Sequence, residues 1–392
     1  WDADAEGVFS RFGIRQWAHA DWPTLRRHRV AVGFYNVVDG VLTRTQRFEF
    51  DIDGEYTDVP EVVGQTRPDL MLLNDDDLTY AKIRLDERSL STVTAHLGSI
   101  TDSLARALAW GTLWDATRDG EFEASRFVDV VLEHIAAETQ STTLRTLLGQ
   151  LLLAASSYVA PARRAATLER VADRLWQLAV DAEPGSDLQF QFVKSFAQLA
   201  STDDQLDTVL ALLEERAPLE GLDIDTDLGW ELLISLAAGG RATLQEIDAA
   251  LEDDRTASGQ QSAAHARAAL PTAEGKLAAW ASVIEQSGLP NAIVRATGLG
   301  FLRAHDRGLL VPFVTKFFDS VLQVWESRSY AIAEEIIEGF YPAPLATEEL
   351  RAATATWLDA HPDAPAAVRR MITEHLAGVE RALTAQAFDA AM

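Results

Sequence analysis

LMLLNDDDLTYAKIRLDERSL, residues Leu70 to Leu90, divides the chain into two parts with different hydrophobic periods. Before it, apolar residues alternate with polar ones as in strands, and after it they recur every three or four positions as in helices. The stretch itself predicts a strand at Leu70–Leu73, an acidic turn at Asn74–Asp77, a second strand at Tyr80–Leu85 and a helix that starts at Ser89. The expected fold class is therefore mainly α with a small β domain at the N-terminus.

The residues before this stretch indicate an antiparallel β unit. The run HRVAVGFYNVV, His28–Val38, is apolar enough for a strand that is covered on both faces. It ends at Asp39-Gly40, a dipeptide that tolerates the positive φ of a tight hairpin turn, and Leu42–Ile52 follows as the alternating return strand. A second turn of the same kind is predicted at Asp53-Gly54. About six or seven short strands joined by such turns predict a small β-sandwich domain over residues 1–88.

The remaining residues, 89–392, predict a continuous array of helices. Start signals such as Thr101-Asp102 and Thr243 precede apolar-periodic runs, and Gly or Pro residues lie between those runs as stop signals. About sixteen helices follow in series without an intervening strand, which is typical of an α-α superhelix of HEAT-like pairs. The last predicted helix, Pro365–Phe388, carries its apolar residues in one stripe, as expected for a helix that caps the array.

The charge of the chain excludes some partners. There are 60 acidic and 34 basic residues, for a formal net charge of −26. A field of that sign repels nucleic acid and anionic lipid, because both need Lys or Arg to neutralise phosphate. Neither a nucleic acid nor a membrane is therefore expected as a partner.

Cysteine content and hydropathy indicate where the chain resides. The absence of cysteine excludes thiolate metal sites and suits a reducing cytoplasm, which is the expected location. The most apolar run, Leu144–Ala160, is interrupted by Arg145 and Gln150 and predicts a buried helix rather than a membrane span. Because the chain begins at Trp1 rather than methionine, it is expected to be a fragment or a processed product, or to have been expressed from that residue.

No catalytic or metal-binding residue is predicted. Eight histidines are scattered without an H-E-x-x-H motif, and His134 with Glu138 is the one helical pair at zinc-ligand spacing. A catalytic zinc needs three ligands and an open position, so a surface ion pair is the favoured interpretation. Asp75-Asp76-Asp77 lacks the D-x-D-x-D-G spacing and distal glutamate of a calcium loop, and a solvated turn between strands is favoured there.

Other candidate sites have simpler structural interpretations. Trp110 and Trp114 lie one turn apart on a predicted helix, and core packing is favoured over the lining of a groove. Arg163-Arg164 and Arg369-Arg370 are interpreted as solvated helix faces, although either pair could meet a substrate carboxylate. No G-x-S-x-G, P-loop or G-x-G-x-x-G motif occurs in a suitable context.

Residues 72–86, LLNDDDLTYAKIRLD, resemble the stretch that follows the catalytic domain in the aminopeptidase N family of zinc-dependent gluzincin aminopeptidases. In that family an Asn closes a strand, a Tyr opens the next strand and an Asp ends it. The matching residues here are Asn74, Tyr80 and Asp86. The resemblance gives them structural roles as family-motif residues, and it gives them no part in catalysis.

Further segments extend the resemblance through the helical part. Residues 100–108, ITDSLARAL, include Asp102 and resemble the first long helix of the family's C-terminal helical domain. Residues 110–121, WGTLWDATRDGE, are close to the version found in actinobacterial members. Residues 379–386, VERALTAQ, resemble the natural C-terminus of those members.

The resemblance implies a β-sandwich and a helical domain, the third and fourth domains of the family. There the helical domain forms a bowl over the active site and restricts access to peptides with a free N-terminus, which implies that role for residues 89–392 and a spacer role for residues 1–88. The family's zinc motif and its G-x-M-E-N motif are absent from this sequence. No zinc ligand, catalytic residue or cofactor is therefore carried over, and zinc would belong to the parent's upstream catalytic domain.

The leading hypothesis is a non-catalytic C-terminal portion of a cytoplasmic zinc aminopeptidase that removes N-terminal amino acids from peptides. This portion would form the chamber wall and gate substrate access. Its expected partners are its own upstream catalytic domain and the parent's peptide substrates. A monomer is expected, although exposure of a surface that meets the catalytic domain could promote dimerisation.

Two other hypotheses stay open at the level of sequence. One is a free-standing helical-repeat scaffold with a β-sandwich head that binds a protein partner; an H-E-x-x-H motif upstream of Trp1 would favour the aminopeptidase instead. The other is a carboxylate-based hydrolase, which would need two acidic side chains facing one another in a pocket. The sequence does not identify residues that contact substrate.

Overall fold

The computed structural model describes residues 1–391 and confirms the predicted class, mainly α with a small β domain. In this part of the chain, seven strands precede sixteen α-helices. The strands are β1 (Asp2–Ala3), β2 (Phe9–Arg11), β3 (Gly13–Arg15), β4 (His28–Val38), β5 (Val41–Ile52), β6 (Tyr56–Asp58) and β7 (Leu70–Leu73). The helices are α1 (Glu87–His96), α2 (Ser103–Arg118), α3 (Ala124–His134), α4 (Ser141–Leu153), α5 (Pro161–Asp181), α6 (Asp187–Leu199), α7 (Asp203–Leu213), α8 (Thr226–Ala238), α9 (Leu244–Asp253), α10 (Ala257–Ala269), α11 (Ala273–Trp280), α12 (Asn291–Leu302), α13 (Phe313–Ser327), α14 (Tyr330–Phe340), α15 (Glu348–Ala360) and α16 (Ala366–Ala390).

The β4–β5 hairpin is the main element of the strand region. Its turn is the predicted one, with φ of 52° at Asp39 and 81° at Gly40, and its strands pair antiparallel from His28 opposite Ile52 to Val38 opposite Val41. β7 pairs with the other edge of β4, which gives a three-stranded sheet in the order β5-β4-β7. β4 is therefore central, and this position explains its continuous apolar run.

Two smaller antiparallel pairs, β1–β2 and β3–β6, accompany this sheet. Many apolar side chains of the strand region form a core cluster, whose buried members include Phe9, Phe12, Val32, Phe34 and Val62. The aromatic rings meet edge to face, with centroids 5.3 Å apart for Phe9 and Phe12.

The predicted strand at Tyr80–Leu85 is wrong, since residues 78–86 form an irregular connection. Tyr80 is fully exposed and only Ile83 is buried. Arg84 donates to Asp119, which lies at the C-terminal end of α2. The alternation of apolar and charged residues arises because this segment lies along the end of a helix, where its cations find carboxylates, and no strand pairs with it.

Contacts between α-carbons group the chain into two compact units. The first unit contains Trp1–Phe122 and Asp129–Gln150, and the second contains Glu123–Val128 and the residues from Leu151 onward. The strands thus belong to the same unit as α1 and α2. The division into domains at residue 88 stays a prediction.

Small residues permit close helix packing in the second unit. A Cβ atom on Gly298 of α12 would lie 2.9 Å from the carbonyl oxygen of Gly339 in α14, closer than a real Cβ comes to another heavy atom. The two helices therefore cross with backbone near backbone, and the Gly298-Leu299-Gly300 run serves packing. Around this crossing, Trp280, Phe301 and Phe340 form part of an aromatic cluster.

The last helix, α16, agrees with its predicted position. Val368, Met371, Ile372 and Val379, which lie on its predicted apolar stripe, are buried in the core of the second unit. Among residues 1–391, the structure contains no helix with both the length and the apolarity needed to cross a membrane.

Candidate functional site

Asn74 follows the last residue of β7 and begins the acidic turn. Its φ is 55°, in the left-handed region that Asn tolerates better than most residues. Its side-chain oxygen accepts from the Thr79 backbone N–H at 3.0 Å, while its amide donates to the Thr79 carbonyl at 2.7 Å. The residue therefore has a structural role that needs both ends of a carboxamide.

The prediction of a solvated turn is wrong for Asp75, which is fully buried, whereas Asp77 is exposed. Its carboxylate accepts from the Tyr35 hydroxyl at 2.8 Å and from Arg44 at 2.8 Å. Burial, together with the negative charge of Asp75, raises the pKa of Tyr35. Gly33 on the central strand leaves room for this arrangement, since a Cβ there would collide with the Asp75 carboxylate.

Asp86 and Asp102 are helix N-caps. Asp86 accepts from the Ser89 backbone N–H at 3.2 Å and from Arg67 at 2.8 Å, and this cap starts α1 at Glu87, two residues before the predicted start. Asp102 accepts from two backbone N–H groups of α2 at 2.9 and 3.1 Å. The four family-motif residues, Asn74, Tyr80, Asp86 and Asp102, therefore occupy a turn, an exposed connection and two helix caps, and they do not form one site.

The predicted ion pair between His134 and Glu138 is wrong. Glu138 is buried and receives two hydrogen bonds from Arg106, at 3.1 and 3.0 Å, while His134 hydrogen-bonds the Thr94 carbonyl at 2.9 Å. Burial raises the pKa of Glu138, but Arg106 and backbone N–H donors outweigh it and leave that pKa lowered. Trp110 is buried in the core, as predicted.

No three His, Asp or Glu side chains in residues 1–391 are arranged to hold a metal ion. A catalytic zinc ion takes three protein ligands and keeps one position open for water. The described residues do not fit such an ion, and no zinc-dependent step is derived for this chain.

The interpretation of the arginine pairs as solvated helix faces is wrong for Arg164 and Arg369, which are half-buried, whereas Arg163 and Arg370 are exposed. Arg163 pairs with the fully buried Asp389 at 3.2 Å. Arg164 donates to the Val159 carbonyl at 3.2 Å, and Arg369 donates to the carbonyls of two residues near the end of α15. Arg370 alone pairs along its own helix, with Glu374 at 2.9 Å. Nothing in the local sequence signals the first three contacts, because their partners lie on other elements or at helix ends.

Lys276 is another buried cation that the sequence analysis did not identify. Lys276 is fully buried, and its ammonium donates to the carbonyls of Ala268, Gly300 and Arg303 at 2.8 to 3.0 Å. These carbonyls lie at the C-terminal ends of α10 and α12, where the helix dipole favours a cation. Burial lowers the pKa of Lys276 to about 7, with Arg303 adding to the effect.

The second unit contains a cavity of about 520 Å³. Its walls come from a π-helical turn at Ala154–Tyr158, from the segment around Arg307, from the connection after α14 and from α16. Tyr341 and His375 form one wall as stacked rings, with centroids 4.1 Å apart. Burial lowers the pKa of His375 to about 4 and raises that of Tyr341 to about 12, so both rings are neutral at pH 7.

The fold and these sites define a class of protein: a helical array that follows a small β unit and has no metal group or catalytic constellation among its described residues. The particular family follows from sequence comparison. The family model of the ERAP1-like C-terminal domain matches residues 70–381, and the chain belongs to this family. The match begins at the first residue of β7, where the hydrophobic period changes.

A curated relative extends the match to the strand region. The chain is 44% identical over 397 residues to an aminopeptidase N of Streptomyces lividans, an alignment that covers 100% of this chain and 46% of the relative. These matches confirm the resemblance to the C-terminal region of aminopeptidase N. The chain spans about half the length of the curated relative it matches.

Proposed function

We propose that this chain is the non-catalytic C-terminal portion of a zinc-dependent aminopeptidase. In the complete enzyme it forms part of the wall of the chamber in which peptides lose their N-terminal residues, and it restricts which substrates enter. The observation that carries the proposal is the 44% identity to an aminopeptidase N over the whole of this chain. The other half of that relative would supply the zinc ion and the catalytic groups.

The described residues support a division of labour between the two halves. They contain no group that suits a metal ion, so the zinc chemistry is assigned to the upstream catalytic domain. They do contain many helices in series, for which we propose the HEAT-like superhelical arrangement predicted from sequence. The inner surface of such an array suits an extended ligand, which can run along several helices.

Exposed aromatic residues support the upstream domain as a partner. Trp17 and Trp22 are 70% and 79% exposed, and both lie in the connection between β3 and β4. Burial of such large apolar side chains against a partner would remove their surface from water, which is favourable. We propose that the catalytic domain covers this connection in the complete enzyme.

The net charge of −26 supports a preference among substrates. A negative surface attracts a protonated N-terminus and basic side chains, and it raises their local concentration near the chamber. A cytoplasmic location and a monomeric state complete the proposal. No specific observation favours the free-standing scaffold or the carboxylate-based hydrolase.

The test compares three proteins: the complete parent enzyme, the parent truncated before Trp1, and the present chain. Each is assayed with an aminoacyl-arylamide and with a folded protein that carries an accessible N-terminus. The chain alone should release no arylamine, and the complete enzyme should do so in a zinc-dependent way. The truncated parent should gain activity on the folded protein relative to the arylamide, since the chamber wall is missing.

Adding the present chain to the truncated parent is the matched control, because it should restore the restriction without adding a catalytic group. Zinc-dependent release by the present chain alone would contradict the proposal. So would a parent gene that lacks an H-E-x-x-H motif upstream of Trp1.

A further inference from the structure

Another cavity of the second unit lies among α7, α8 and α9 and has a volume of about 530 Å³. Its apolar walls are formed by buried and half-buried side chains, which include Leu210, Leu213, Trp230, Leu233, Ala242 and Ala250. A cavity of this size lies within the range of about 300–1,000 Å³ that is usual for small-ligand pockets. It therefore has room for a small organic molecule with an apolar body.

The charged residues at this cavity are mostly acidic. Glu214, Glu246, Asp253 and Asp254 line it together with a single cation, Arg241. Arg241 already pairs with two aspartates of α7 that lie outside the cavity lining, at 2.9 and 3.2 Å. The cavity therefore has an excess of negative charge that its own arginine does not neutralise.

Two of these carboxylates are held in place by uncharged donors. Asp254 accepts from Trp230 Nε1 at 2.9 Å and from the Thr256 hydroxyl at 2.7 Å. Glu246 accepts from the hydroxyl and the backbone N–H of Thr243, both at 2.7 Å. These hydrogen bonds lower the pKa of Asp254 and of Glu246, so both groups are ionised at pH 7.

Asp253 is an exposed carboxylate at the C-terminal end of α9, where a ligand in the cavity can reach it. It forms no hydrogen bond or ion pair within residues 1–391. Its neighbour Glu252 pairs with Arg255 and does not line the cavity. The last turn of α9 contains no basic residue, although the helix dipole there favours a cation. A positive charge from a ligand would therefore be stabilised at Asp253.

We propose that this cavity is a binding site for a small organic cation, an amine that carries an alkyl or aryl group. Its ammonium group lies at the Asp253 carboxylate, and its apolar part lies against the walls formed by α7 and α8. Removal of that apolar part from water is favourable, and the negative potential of the acidic rim raises the local concentration of cations. The size of the cavity favours a small molecule over a segment of another protein.

This binding site is independent of the proposed peptidase function. It depends only on residues of α7, α8 and α9 and on the segments next to them. If no amine binds, the assignment of the chain to an aminopeptidase is unaffected, and the reverse also holds.

Calorimetric titration of the present chain at pH 7 tests the proposal with three probes. They are 2-phenylethylamine, which has both the charge and the ring, 2-phenylethanol, which has no charge, and ethylamine, which has no ring. We expect 2-phenylethylamine to bind with a Kd of about 1 mM or tighter, and each of the other two probes to bind at least about tenfold more weakly.

Charge is tested with a pair of adjacent variants. Asp253→Asn removes the carboxylate that meets the ammonium group and should weaken the binding of 2-phenylethylamine at least about threefold. Glu252→Gln is the matched control, since it changes the net charge by the same amount on the same helix but lies outside the cavity lining. It should change Kd less than about 1.5-fold.

The apolar part of the site is tested by filling it. Gly229 of α8 lines the cavity, and a Cβ there would meet only the Leu213 Cδ1 atom, at 4.0 Å. Gly229→Leu should therefore place a side chain in the cavity and weaken binding at least about tenfold. Gly111→Leu is the control, because Gly111 of α2 is exposed, has no atom within 4 Å of an added Cβ and does not line the cavity.

The proposal is overturned if 2-phenylethylamine does not bind at about 10 mM, or if 2-phenylethanol binds as tightly. It is also overturned if Asp253→Asn and Glu252→Gln have equal effects, or if folded Gly229→Leu binds like the wild-type chain. If Gly229→Leu does not fold, the comparison of Asp253→Asn with Glu252→Gln decides the outcome alone.

Discussion

Asp389, near the end of α16, connects three parts of the second unit through one carboxylate. The side chain is fully buried and accepts from the backbone N–H groups of Ser125 at 2.7 Å and Ala160 at 2.9 Å. These donors lie at the starts of α3 and α5, where N–H groups lack intrahelical acceptors and the helix dipole favours a negative charge. Arg163 adds an ion pair at 3.2 Å.

Asp389→Ala should lower the free energy of unfolding by about 2–4 kcal/mol, because it leaves the backbone N–H groups of Ser125 and Ala160 without an acceptor. Urea denaturation followed by circular dichroism measures the change. Asp359→Ala, at an exposed aspartate of α15, is the control and should shift stability by less than about 0.5 kcal/mol. If the free energies of unfolding of the two variants differ by less than about 1 kcal/mol, the Asp389 carboxylate does not hold the starts of α3 and α5 as described.

His375 makes stability depend on pH. Burial lowers its pKa to about 4, although the Ile337 carbonyl and Glu374 oppose the shift. Glu338, whose own pKa is raised by burial, lies 3.7 Å from the ring. The unfolded chain, with a histidine pKa of about 6.5, takes up a proton that the folded chain does not bind until the pH approaches 4. Stability is therefore lost as the pH falls from about 6.5 to about 4.

Between pH 7 and pH 5 this residue should account for a loss of at most about 2 kcal/mol. His375→Gln should remove that part of the loss, which thermal unfolding at the two pH values can measure as a smaller difference in Tm. His19→Gln, at an exposed residue, should keep the wild-type difference. Equal pH dependence in the wild-type chain and His375→Gln would show that His375 is not kept neutral by the fold.

At the scale of elements, the start of α2 illustrates how the sequence signals a helix. Asp102 adopts an extended backbone and accepts from two N–H groups of the first turn, as an N-cap does. The same signal at Asp86 starts α1. These caps define where helices begin, and they do so with atoms that are close in sequence.

Asp102→Ala should lower the free energy of unfolding by about 1 kcal/mol, while Asp102→Ser, which keeps an acceptor, should stay within about 0.5 kcal/mol of the wild-type chain. Urea denaturation measures both. Thr101→Ala is the neighbouring control and should have little effect, since Thr101 is exposed and precedes the cap. A large loss in Asp102→Ser would mean that the carboxylate charge, and not the cap, is what α2 requires.

At the scale of the whole molecule, self-repulsion opposes the folded state. The formal net charge is −26, and like charges that are brought together on folding lower stability. Salt screens this repulsion over about 10 Å at 0.1 M. We therefore expect the Tm at pH 7 to rise as NaCl increases from about 0.02 to 0.3 M.

The same titration at a pH close to the sequence pI of about 4.6 provides the control. There the net charge is near zero, and the rise in Tm should be much smaller. A Tm that falls with salt at pH 7 would show that specific ion pairs, such as Arg106 with Glu138, outweigh the general repulsion.

The sequence by itself determined the class of fold, most of the strand and helix positions and the family. Hydrophobic period, Asp-Gly turns and N-caps are local signals, so they place the β4–β5 hairpin, α2 and α16 without knowledge of the rest of the chain. Local signals also mislead, as at Tyr80–Leu85, where alternation arises from ion pairs at the end of a helix and not from a sheet.

Only the tertiary structure decided the roles of the charged residues. Asp75, Glu138, Lys276 and Asp389 resemble surface residues in the sequence, yet all four are buried with partners on other elements or at helix ends. Asp253 stays exposed, and its place at a cavity is visible only when α7, α8 and α9 are assembled. A buried charge depends on atoms that the chain brings together from distant positions, and hydrophobic period carries no information about which of them meet.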